Sequence, residues 1–274
     1  MIHRFLFSAC LALACSGSLL AQDMKELPIN RLIDNPTAGI LEKGTFDFSM
    51  TLYKQGGVLV GFNVGLLDRL NMGASFGGTK IISDSTPDWN QRPELALKYR
   101  LVDETHAWPA IALGYDGQGH GVWISEDAET GYNTDLQGAS KSRERYQIKA
   151  KGFYGTAGKN YVVSGFGKMG VHVGANVNPI EDKDDRGLNF WLGLDKEIND
   201  ELSAVAEYDF ALDDVHTGLS RSKGFMNLGA RWTFAERLSL EVDFKDIFKN
   251  HKGVYAGEDN SINREIKITY MESF

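Results

Sequence analysis

Cysteine is almost missing from this chain: its 274 residues hold two, Cys10 and Cys15, both within the first two dozen positions. Beyond them no thiol remains, so neither a disulfide framework nor a thiolate metal site can form. A long apolar run is absent as well. Past the opening segment no stretch approaches the roughly 18–20 apolar residues that a spanning helix requires, which excludes a helical membrane protein. Positive charge is in the minority, 29 Lys and Arg against 37 Asp and Glu, for a formal net charge of −8. That balance argues against nucleic acid as a partner, since such binding rests on clustered Lys and Arg. The averages, 42% hydrophobic and 24% charged, are those of an ordinary soluble domain, so the information lies in the pattern.

The chain opens on Met1-Ile2-His3-Arg4 and then FLFSACLALACSGSLLA, a basic start followed by an apolar stretch with small residues. Residues 1–21 therefore read as a secretory signal peptide cleaved after Ala21. Ala12-Leu13-Ala14 ahead of Cys15 lacks the Leu three positions back that lipidation signals carry. Residues 22–43, with Pro28 and Pro36 and no period, form a periplasmic N-terminal segment, either a lead-in or a stretch tucked into the domain C-terminal to it.

From Gly44 onward the period is two. Phe46, Phe48, Met50 and Leu52 alternate with Thr45, Asp47, Ser49 and Thr51, which puts hydrocarbon on one face of a strand and polar groups on the other. The dyad recurs to the end of the chain. Leu95, Leu97, Tyr99 and Leu101 oppose Ala96, Lys98 and Arg100, and Tyr146, Ile148 and Ala150 oppose Gln147, Lys149 and Lys151. Met169, Val171, Val173 and Ala175 oppose Lys168, Gly170, His172 and Gly174, and Leu188, Phe190, Leu192 and Leu194 oppose Asn189, Trp191, Gly193 and Asp195. Nearer the C-terminus, Leu202, Ala204, Ala206 and Tyr208 face away from Val205, Glu207 and Asp209. Leu228, Ala230 and Trp232 likewise oppose Gly229 and Arg231, and Leu240, Val242 and Phe244 oppose Glu241, Asp243 and Lys245.

Soluble sandwiches alternate too, so connection lengths decide the class. Leu67-Asp68-Arg69, residues 103–107, about 157–166, Lys196–Asp200 and Ala235-Glu236 connect strands at one end, and most of these are tight turns. Residues 78–92, 117–144, 178–186, 212–223 and 247–261 are the long connections at the other end, where only Lys54–Gly56 is short. Short turns on one side and long loops on the other are the habit of outer-membrane barrels. Tyr99, Trp108, Trp232 and Tyr270 fall near the short-turn end, and Tyr53, Tyr115, Tyr146, Tyr208 and Phe210 near the other, as two interfacial girdles. In hydrocarbon every backbone group needs an internal partner, so such a sheet must close. The expected architecture is all-β: residues 44–274 as a closed antiparallel transmembrane β-barrel of about 12 strands in the outer membrane, both termini periplasmic. Outer-membrane lipid is then one partner. The last strand ends at Phe274 with Ile266, Ile268 and Tyr270 on one face, which resembles the signal read by the barrel-assembly machinery, although Glu272 departs from it.

The segments IDNPTAGILEKGTF (33–46) and DKEINDELSAVAEYDF (195–210) resemble outer-membrane barrels associated with exopolysaccharide export, the YjbH-like family. The resemblance covers scattered segments. It implies a place near polysaccharide secretion, with a polysaccharide or a partner protein as ligand, and no site residues.

Catalytic patterns are scarce. Phospholipase-type barrels carry a His two residues before a Ser, whereas His172 is followed by Val173 and Gly174. His216 near Asp213 and Asp214 is a loose analogue of a protease couple and reads as a solvated loop. Asp116, Glu126, Asp127, Glu129 and Asp135 offer oxygens but no EF-hand spacing, so they read as an acidic surface loop. No enzyme, cofactor or metal site is therefore expected. The interior charges carry the functional expectation. Lys98, Arg100, Lys149, Lys151 and Lys168 make one wall basic, while Glu207, Asp209, Glu241 and Asp243 make the opposite wall acidic, with Arg231 and Lys245 among them. Two outcomes stay open: a narrow pore with a transverse field, or an interior filled by its own salt bridges. In the first case, reversing Lys149 and Lys151 would shift ion selectivity toward cations.

Overall fold

In the computed structural model, which describes residues 29–124, 144–181, 186–214, 220–234, 237–251 and 261–274, the dyads become a closed antiparallel barrel of twelve strands. In chain order they are β1 (Thr45–Tyr53), β2 (Gly57–Leu67), β3 (Leu70–Thr79), β4 (Glu94–Val102), β5 (Ala110–Asp116) and β6 (Gly152–Val163). The second half comprises β7 (Gly167–Val177), β8 (Asn189–Glu197), β9 (Leu202–Asp209), β10 (Phe225–Phe234), β11 (Leu238–Lys245) and β12 (Asn263–Ser273). Each strand pairs with its neighbours in sequence, and β12 closes on β1 with Thr45 opposite Ser273 and Leu52 opposite Ile266. Closure leaves no strand edge unpaired around the wall. The signal peptide and residues 22–28 lie outside the described residues.

The two faces are reversed relative to a soluble protein. Phe48, Leu97, Leu194 and Phe244 point outward and are 45–47% exposed, whereas the inward Glu207, Glu241 and Asp243 are 1–2% exposed. A belt of large apolar side chains around a polar interior is stable only where hydrocarbon covers it, so the barrel is built to span a membrane. Aromatic pairs mark the rims of the belt: Trp232 and Phe234 have centroids 5.0 Å apart, Tyr208 and Phe210 4.9 Å, and Trp89 stacks on Phe76 at 5.8 Å.

One strand differs from the sequence expectation. Residues 145–151 are not in the barrel wall: Arg145–Ile148 pairs with His120–Ile124 in a separate two-stranded hairpin folded over the long-loop end. Tyr146 there is fully buried, so it belongs to no girdle. The sixth wall strand is Gly152–Val163, and the turn after it spans only Ser164, Gly165 and Phe166. Its outward positions include Gly155, Ala157 and Lys159, which blank the hydropathy alternation, while Arg145–Ile148 alternates because it is also a strand. A two-residue period reports a strand and not the sheet it joins. Trp191, in contrast, does point inward, 1% exposed, into a slot left by Gly174, where any Cβ would collide with the indole ring.

Candidate functional site

The lumen is partly filled by the chain's own N-terminal segment. Residues 29–43, expected on the periplasmic side or tucked into the barrel, run inside it. Arg31 bridges to Pro36, and Leu32 N–H donates to Asn35 O at 2.9 Å, which makes a tight hairpin with its tip at Leu32–Asn35. Leu32, Asn35 and Leu41 are fully buried. Leu32 seats its Cδ1 directly against Gly193, in the space a Cβ would take, so any larger residue there would expel it.

Inward charges hold this hairpin from several sides. Glu207 accepts the successive backbone N–H groups of Ile33, Asp34 and Asn35 at 3.2, 3.0 and 3.0 Å. Lys98 donates to Asn30 O at 2.6 Å and Gly39 O at 3.1 Å, and Arg100 donates to Ala38 O at 2.8 and 3.0 Å. Arg231 reaches Arg31 O and Leu32 O at 3.2 and 3.0 Å while also bonding Glu241. Asp34 meets Lys245 at 2.8 Å and His120 at 2.9 Å, and Arg31 pairs with Asp116. A backbone segment placed in a barrel interior needs such partners, because each unpaired buried peptide group costs about 1–3 kcal/mol. Of the residues expected to line a pore, Lys98, Arg100, Glu207 and Arg231 thus serve as brackets. Lys168 pairs with Glu197 at 3.4 Å nearer the short-turn end.

Lys149 and Lys151 stand elsewhere than expected. With residues 145–151 outside the wall, Lys149 lies 3.8 Å from Asp213, Lys151 pairs with Asp209, and neither lines the open lumen. Opposite walls of unlike sign therefore do not exist as free surfaces: the cations and acids meet, directly or through the hairpin. Asp34, His120 and Arg145 were absent from the expected set, whereas the inward Lys245 was part of it. The first of them lies in a segment without period, which offered no face from which to read orientation.

The long-loop end is covered by the second hairpin. Arg145 is 1% exposed and pairs with Asp214 at 2.6 Å, while Glu181 accepts the N–H groups of Tyr146 and Ala150, both at 3.3 Å. Burial pushes the Glu181 carboxyl up to about 7 despite nearby Arg145, and pushes Asp213 up to about 6 despite Lys149. Both values lie above those of an unfolded chain, so the neutral acids favour the folded cap. Its stability from these groups is full below about pH 4 and is lost as pH rises through about 7. Hydrogen exchange should therefore show the Tyr146 and Ala150 amides losing protection, beyond the intrinsic rate change, from about pH 5 to about pH 8. Glu181→Gln, neutral throughout, should flatten most of that trend; an equal trend in both proteins would rule out this carboxyl as its source. Glu126, Asp127, Glu129, Asp135 and His216 fall outside the described residues, and Asp116 of that acidic set is the buried partner of Arg31.

Beside the N-terminal hairpin a cavity of about 1390 Å³ remains. At the short-turn end it is lined by the exposed Thr105, His106, Asn160, Asp200 and Glu201, so it opens there. It continues along Asp47, Ser49, Asn63, Ser75, Asp243 and Lys267 to the buried Gln118 and half-buried His120 beneath the cap. Thirteen Asp and Glu line it, against six Lys and Arg. Inside the wall, His172 Nε2 stands 2.6 Å from Asp195 Oδ1.

No family model matches the sequence, and no curated protein does. Among solved structures the chain is similar to a KdgM porin, with TM-score 0.47 and 7% identity over 84% of this chain and 99% of that one. A KdgM porin in complex with disordered oligogalacturonate gives TM-score 0.46 and 7% identity, with the same coverage of 84% and 99%. The trimer form of OmpT, an outer membrane protein of Vibrio cholerae, gives TM-score 0.31 and 10% identity over 84% of this chain and 98% of that one.

Proposed function

We propose that the protein is a non-enzymatic barrel of the bacterial outer membrane, termini on the periplasmic side, that passes small solutes through a narrow aqueous route beside its lumenal hairpin. The observation that carries this is the polar cavity of about 1390 Å³, open at the short-turn end and running to the cap along side chains that can replace water. Orientation follows from the tight turns at the end that carries both the start of β1 and the end of β12. The polysaccharide-export role implied by the YjbH-like resemblance would use the long loops, and residues 125–143, 215–219 and 252–260 of these lie outside the described residues.

Heat-modifiable migration in purified outer membranes tests the location, and planar-bilayer recording tests the pore. The expected result is small, steady channels. No channel events at any voltage, from either the full chain or a chain lacking the lumenal hairpin, would remove the pore reading.

A further inference from the structure

We infer that the cap and the lumenal hairpin act as one gate: His120 clasps Asp34 at the hairpin tip, so lifting the cap from outside loosens the tip beneath it. The inference rests on the pore reading and names how that passage is regulated. The link from the wall to the cap runs across the hairpin. At its root Asp116, the last residue of β5, pairs with Arg31, and farther along His120 Nε2 lies 2.9 Å from Asp34 Oδ1.

The two ends of this link are held by different bodies. Gln118 stays with the wall: its N–H donates to Asp116 Oδ1 at 3.0 Å, and Ser75 of β3 donates to its side-chain oxygen at 2.8 Å. His120 belongs to the cap, where it pairs with Ile148 across the two strands. Gly119 stands between them, so close to the fully buried Tyr146 that a Cβ there would collide with it. The bend that lifts the cap therefore falls at a residue with wide backbone freedom. His120 Nδ1 is buried and makes no hydrogen bond among the described residues, so Asp34 is the group that orients the ring. Lifting the cap withdraws His120 and leaves Asp34 with Lys245 at 2.8 Å and Asn227 at 3.3 Å. A buried carboxylate that loses a donor is destabilised. The base of the hairpin keeps its wall partners Lys98 and Arg100, so the effect is confined to the tip, Leu32–Asn35. Such coupling is reciprocal, and whatever the cap contributes to the tip, the tip returns to the cap.

Hydrogen exchange of the full-length protein in lipid bilayers, read residue by residue, tests this, with folding of each variant checked by heat-modifiable migration. Arg145→Ala, which opens the cap, should speed exchange at the Ile33, Asp34 and Asn35 amides about tenfold and leave the wall amides unchanged. In His120→Phe, which keeps a ring but no donor, the tip should already exchange faster, and adding Arg145→Ala should change it little. Asp34→Ala should in return speed exchange at the Tyr146 and Ala150 amides by a similar factor, which keeps the test decisive should Arg145→Ala fail to fold. An open cap above an unmoved tip, an equal gain from Arg145→Ala with and without the His120 imidazole, or cap amides indifferent to Asp34→Ala would overturn the inference. Exchange is read without current, so silence in planar bilayers would count against the pore reading and not against this coupling.

Discussion

Excising residues 29–39 should raise single-channel conductance severalfold while leaving a folded barrel. The wall is held by twelve antiparallel pairings, none of which includes the excised residues, so closure survives their loss. What disappears is a hairpin whose buried tip is gripped by Glu207, Arg231 and Lys245 and which occupies the space next to the cavity. Those charges would not be stranded, because water would enter where the hairpin had been. A fall in thermal stability is expected, since Leu32, Ile33 and Val205 form an apolar cluster that the deletion dissolves. Unchanged conductance would mean that the ion route does not pass the space the hairpin fills.

Arg145→Ala should release the cap at the long-loop end. Its guanidinium is 1% exposed, pairs with Asp214 at 2.6 Å, and donates to Tyr146 O at 2.9 Å and Gln147 O at 3.3 Å. Removing one member of a buried pair strands the other charge, at a cost of about 3–5 kcal/mol. That exceeds what a short two-stranded hairpin can supply alone, so the loss should appear as local opening of His120–Ile124 and Arg145–Ile148 and not as unfolding of the wall. Hydrogen exchange resolved by residue is the readout, with a larger single-channel conductance in bilayers as its counterpart. Arg145→Lys should rescue poorly, since an ammonium cannot span the carboxylate and the two carbonyls as a planar fork does. Retained protection across both hairpin strands in the Ala variant would show that the cap does not depend on this pair.

The two obstructions were legible to different degrees. Strand phase was readable wherever outward residues were large: Leu97, Leu194 and Phe244 announce their face by themselves. It failed over 145–163 for a physical reason. Tyr146 and Ile148 alternate as well as any wall strand, but they belong to the capping hairpin, where the ring centroids of Tyr146 and Trp123 are 4.9 Å apart. The true wall strand shows Gly155 and Ala157 to the outside and so looks like a turn. Inward charge was also readable, but its meaning was not. Lys98 and Glu207 could have lined open water or held a segment, and alternation is the same in both cases.

By itself the sequence determined the barrel, its membrane-facing belt, the inward set of charges and the end at which the loops are long. Each of these is local, set by a period of two and by the spacing of turns. Only the tertiary structure decided how the interior is filled. Partners such as Asp34 with Lys245 and Arg145 with Asp214 lie 211 and 69 residues apart, and no local period records them. Whether a lysine faces water, a carbonyl or an acid depends on what the closed wall brings opposite it, and that opposition exists only once the last strand has met the first.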